Sequence, residues 1–127
     1  MKLEYLPADG SLDCPLIRLY DFSLAEATQL QAAFADLAAG RAESVAVHEL
    51  PWVESVGGCR LVLRVKSWDQ AVVRTGKPAQ FECCFTRLTW DNVAGLAEPF
   101  TKDISGFQWL AESPGEAQLL LSASGLW

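Results

Sequence analysis

From Ser23 to Ala39 apolar side chains return every third or fourth position. Leu24, Ala27, Leu30, Phe34 and Leu37 make one stripe, while Glu26, Gln29 and Asp36 fall largely off it. That period predicts an amphipathic helix. Ser23 supplies an N-cap, Glu26 stands at the capping-box position, and Gly40 follows as a stop. A shorter helix is predicted from Trp90 to Glu98, with Thr89 as its cap, Trp90, Val93, Ala94 and Ala97 as its packing face, and Pro99 as its end.

Elsewhere the period is two. In Cys59–Lys66, Cys59, Leu61, Leu63 and Val65 face one way and Arg60, Val62, Arg64 and Lys66 the other. In Ala79–Leu88, Phe81, Cys83 and Phe85 are predicted inward and Glu82, Cys84 and Thr86 outward. Further strands are predicted over Lys2–Leu6, Leu16–Phe22, Glu43–Leu50, Gln70–Arg74, Phe107–Ala111 and Ala117–Ala123. Between them lie a loop over Pro7–Asp13, turns at Val56-Gly57-Gly58 and Gly76-Lys77-Pro78, and a hairpin loop at Ser113–Glu116. Short turns join most neighbours, so the class is α+β: an antiparallel sheet of about six to seven strands with two helices packed mainly on one face. The 127 residues are read as a single domain, residues 1–127.

Composition narrows the partners. Half of the residues are hydrophobic and 20% are charged, with a net charge of -6. That sign repels phosphate backbones and anionic lipid, so neither nucleic acid nor membrane is expected as a partner; a basic protein fits better. The opening MKLEYLPADG has no apolar signal core, and a cytoplasmic location is expected. Cys14, Cys59, Cys83 and Cys84 have neither CxxC nor zinc spacing, so reduced thiols and no bound metal or cofactor are expected.

Strong catalytic signatures are missing. His48-Glu49 opens like a zinc-protease motif, but His-Glu-Leu-Pro-Trp lacks the second histidine and Pro51 interrupts the helix it needs. His48 is the only histidine, and no second group is tied to it by sequence. Cys84, the most exposed thiol by pattern, has Glu82 as a neighbour, which works against a thiolate. If the strands at Cys59–Lys66 and Ala79–Leu88 pair, their outward residues form a polar floor for an anionic small ligand. Its candidate residues are His48, Arg60, Arg64, Glu82 and Thr86; the competing reading is a plain solvated sheet face with ordinary cross-strand pairs.

Of five tryptophans, Trp90 and Trp109 fall inside elements and are expected in the core. Trp52, Trp68 and Trp127 fall outside and are candidate interface anchors. The expected function is therefore non-catalytic binding or protein interaction. The alternative is a small-ligand-binding or enzymatic domain built on the face around His48, Arg60 and Arg64. A homodimer is expected as well, because Leu119-Leu120-Leu121 is apolar on both alternations and helices cover only one sheet face. The competing cover is the segment Met1–Pro15, with Leu3, Tyr5 and Leu12, folded over that face.

Overall fold

A computed structural model of the chain describes residues 1–8, 13–76, 78–112 and 115–127. Leu12, Lys77, Ser113 and Pro114, which belong to the predicted cover and turns, lie outside the described residues.

Helix α1 runs Leu24–Ala39 and is built as its sequence implies. The Glu26 N–H donates to Ser23 Oγ at 3.1 Å, and the Ser23 N–H donates to Glu26 Oε1 at 2.9 Å. Gly40 takes φ 77°, a left-handed conformation that glycine adopts without a Cβ clash, and its N–H returns to the carbonyls of Asp36 and Leu37. Ala27, Leu30, Phe34 and Leu37 are buried; Leu24, at the first helical position, lies outside the core and is exposed.

Helix α2 spans Arg87–Ala97, three residues earlier than the apolar pattern places it. Thr86, not Thr89, is the N-cap, and the Thr89 N–H donates to its hydroxyl at 3.3 Å. Both threonines are competent caps by residue type; a distant contact chooses. Asp69 accepts the Thr86 N–H at 2.8 Å and the Thr89 hydroxyl at 2.7 Å. The preceding strand therefore ends at Phe85 rather than Leu88. Trp90, Val93, Ala94 and Ala97 form the buried face.

The fold is α+β, with two helices and nine strands among the described residues. The strands divide between two mixed sheets rather than forming one antiparallel layer. In the first, β4 (Glu54–Ser55), β1 (Lys2–Leu6), β2 (Leu16–Tyr20), β9 (Gln118–Ser122) and β8 (Phe107–Ala111) lie in that order. In the second the order is β3 (Ser44–Ala46), β5 (Arg60–Val65), β7 (Gln80–Phe85) and β6 (Ala71–Gly76). The β1–β4, β2–β9 and β5–β7 pairs are parallel. Alternation fixes which side chains turn inward but not which strand lies next door, so these long-range pairings are invisible to it.

One core joins everything. Leu3, Ile17, Leu19, Leu119 and Leu121 of the first sheet meet Leu61, Leu63, Phe81 and Cys83 of the second, together with both helices. Phe34 stacks on Trp90 at 5.8 Å, and Phe85 meets Trp90 edge-on at 5.1 Å. The Trp90 indole N–H donates to the Arg64 carbonyl at 2.9 Å, satisfying the one polar atom that this large side chain buries. No helix among the described residues is long and apolar enough to cross a membrane.

The outer face of the first sheet is covered in part by the chain itself. Leu16 and Leu120 lie on that face, outside the shared core, and both are fully buried. Residues 123–127 turn back over it. The Gly125 N–H donates to Ser122 Oγ at 3.0 Å, Ser122 Oγ donates to the Leu126 carbonyl at 2.6 Å, and Arg18 donates to the Gly125 carbonyl at 2.9 Å. Of the expected N-terminal cover, Leu3 and Tyr5 turn to the core instead. Lys2–Leu6 is itself a strand of this sheet, and Leu3 points into the core.

Candidate functional site

The structure brings only part of the predicted polar face together. Strands β5 and β7 pair in register, Arg60 beside Gln80, Val62 beside Glu82 and Arg64 beside Cys84, so their outward residues share one face. The segment predicted as a strand over Glu43–Leu50 keeps strand geometry only to Ala46. It then turns through Val47–Glu49, which brings His48 over β5. There the Leu61 N–H donates to His48 Nδ1 at 3.1 Å. His48, Arg60 and Glu82 line a concavity of about 180 Å³ together with Val62, Thr75, Gln80 and Phe81.

Two of the candidates stand apart from it. Arg64 lies on the same face but is committed to Glu82, its Nε donating to Oε2 at 2.6 Å. Thr86 is occupied as the cap of α2 and does not line the concavity. Sequence reasoning did not single out Thr75 or Gln80, because they reach the site through the β6–β7 pairing, whose register shifts between Arg74 and Gly76.

The thiols are poor nucleophiles. Cys59, Cys83 and Cys84 are buried and unbridged. Burial pushes Cys59 up to about 11, and burial also raises Cys83. Cys84 is raised first by burial and then by the Glu82 carboxylate, and it is buried despite its outward alternation. Among the described residues no three His, Cys, Asp or Glu side chains converge as a metal site would need.

The three loop tryptophans go to three places. Trp52 is half-buried beside Lys2, Asp21 and Glu54, and its carbonyl accepts the Met1 ammonium at 3.0 Å. Trp68 stands 61% exposed, next to the Asp69 that holds α2. Trp127 is 40% exposed, its indole N–H donating to Asp13 at 2.9 Å. Around Trp127 a second surface appears. Phe107, 46% exposed, and Leu126, 73% exposed, join it in lining a depression of about 230 Å³ with Gly106 and Ser124. Phe107 also meets Trp109 edge-on at 6.4 Å; Trp109, expected in the core, is only half-buried on this outer face. Phe107 and Trp109 alternate with Leu110, which is buried, so the strand pattern held a signal for this patch.

Compared with known proteins, the chain matches no family model, no curated protein and no solved structure.

Proposed function

We propose that this chain is a non-catalytic binding domain that docks a protein partner through Phe107, Leu126 and Trp127. One observation carries the reading. Seven large hydrophobic side chains are exposed among the described residues, and three of them line a single depression. Scattered exposed apolar residues are ordinary, but a cluster is the mark of a contact surface. The anchors are also held in advance: four hydrogen bonds, from Ser122, Gly125, Arg18 and Trp127, fix the segment that carries them. Pre-organised anchors lose less entropy on binding, which favours affinity.

Charge selects the partner. At -6, this domain attracts a basic protein and repels a second copy of itself. The expectation of a homodimer rested on Leu119-Leu120-Leu121 being apolar on both alternations, and all three are buried within the single chain. The reduced thiols suit a cytoplasmic setting. Affinity capture with the wild type, Leu126→Asp and Trp68→Ala separates the surfaces. The reading requires a basic protein held by the wild type and Trp68→Ala and lost by Leu126→Asp. A partner kept by Leu126→Asp and lost by Trp68→Ala overturns it. Light scattering that finds a wild-type dimer and a monomeric Leu126→Asp makes the occupant a second copy instead.

A further inference from the structure

We propose that the concavity on the outer face of the second sheet binds a small free carboxylate, with Arg60 as its anchor. This rests on a different face from the docking surface and stands or falls separately. The chain has six arginines. Arg18 is bonded to Glu4, Arg41 to Asp36 and Arg64 to Glu82. Arg74 is spread over the Tyr5 hydroxyl and the Pro78 carbonyl, and Arg87 donates to the Ala38 carbonyl. The Arg60 guanidinium alone makes no hydrogen bond or ion pair among the described residues, and it is the arginine that lines a concavity with His48.

Apart from the Glu82 carboxylate, the other polar groups there can donate. Strand β3 ends at Ala46, opposite Val62, so the next position of β5 loses its ladder partner and Leu61 turns to His48. Leu61 is fully buried, and its N–H has only Nδ1 to donate to. Nδ1 also lies 3.3 Å from the Leu61 carbonyl, but an orphaned buried N–H is costlier than an under-satisfied carbonyl, so Nδ1 is assigned as the acceptor, which puts a ring proton on Nε2. The Thr75 hydroxyl and the Gln80 amide, also lining the site, have no hydrogen-bond partner among the described residues. The one carboxylate present, Glu82, is neutralised by Arg64 at 2.6 Å. What remains is a net positive charge surrounded by N–H and O–H donors.

Size and shape narrow the ligand. The concavity is small, about 180 Å³, which suits an acid of few heavy atoms. A guanidinium fork matches the two oxygens of a carboxylate, and Val62 offers an apolar wall to a short carbon chain. Inorganic phosphate would use the donors but leave that wall bare.

Titration of the isotopically labelled protein with sodium butyrate, followed by backbone amide shifts, tests this against sodium chloride at equal ionic strength. Saturable shifts at His48, Val62 and Gln80 are expected, with a dissociation constant on the order of millimolar, as befits so small a ligand. Arg60→Ala should weaken binding at least about tenfold, and Arg60→Lys should recover only part of it, because an ammonium lacks the fork. Thr75→Val, which removes a hydroxyl with no hydrogen bond among the described residues, should weaken it severalfold. Shifts matched by chloride, or unchanged in a well-dispersed Arg60→Ala spectrum, overturn the proposal. Phosphate binding as tightly as butyrate overturns the carboxylate assignment.

Discussion

Phe34 has no exposed surface and is stacked on Trp90, so its removal leaves a hole that neither helix can close. Phe34→Ala should cost roughly 3–5 kcal/mol, read as a lower urea midpoint; an unchanged midpoint would mean that the stripe does not face the core. Glu26 works at two places at once, in the capping box and on the Met1 ammonium at 2.8 Å. The hydrogen bond from that ammonium, ahead of the Ser23 contacts, holds its carboxyl below the ordinary 4.5. A carboxyl depressed by folding stabilises above its unfolded value, and that stabilisation is lost as pH falls through the folded one. Glu26→Gln should therefore cost about 1 kcal/mol at pH 7 and much less at pH 3, in urea melts at the two pH values. Parallel losses at both would remove the ionic part of the argument. The buried thiols give a third check at this scale. Cys59, Cys83 and Cys84 should be alkylated under native conditions only as fast as the protein opens, as peptide mapping after timed labelling would report.

The elements differ in how openly they declare themselves. Helix α1 was readable to its caps because stripe, capping box and stop agree within a single stretch of chain. Helix α2 was readable in face but not in start, since Asp69, seventeen positions before Thr86, decides which threonine caps it. The Asp69 carboxyl sits below its ordinary 3.8: burial alone would raise it, and the Thr86 and Thr89 hydrogen bonds outweigh that. Asp69→Ala should unfix the start of α2 at a cost of about 1–2 kcal/mol, with faster amide exchange over residues 86–90 than at the helix centre. Of the candidate sites, Arg60 and Glu82 were legible from alternation and His48 from its place on a neighbouring predicted strand, but the turn at Val47–Glu49 that brings His48 over β5 was not. Leu126 was not, because nothing local says that residues 123–127 reverse onto the sheet. Gly125 makes that reversal: it adopts φ 87°, and a Cβ there would stand 2.9 Å from Arg18 Nη1. Gly125→Ala should loosen the segment by more than about 1 kcal/mol, seen as faster exchange at residues 124–127 with the core amides unchanged. Uniform exchange would show that the segment is held by something else.

Across the whole molecule the net charge is -6, and five of the ten Lys and Arg side chains, those of Lys2, Arg18, Arg41, Arg64 and Lys102, are paired with acids. A surface of that sign repels a phosphate backbone, and duplex DNA at physiological salt should give no complex in an anisotropy titration. A salt-sensitive complex there would contradict the charge argument. The topology carries a different consequence, for how the chain is made. Strand β2 pairs with β9, so the first sheet waits on residues 118–122. Those follow Tyr20 by about a hundred residues, roughly 5–20 s at ordinary rates of synthesis. For that interval the early β1–β2 hairpin is held out with a bare apolar edge, and two strands alone are marginal in water. A nascent chain broken off before Gln118 has no partner for that edge at all, so incomplete products of this message are destined for aggregation or proteolysis rather than for a smaller working domain.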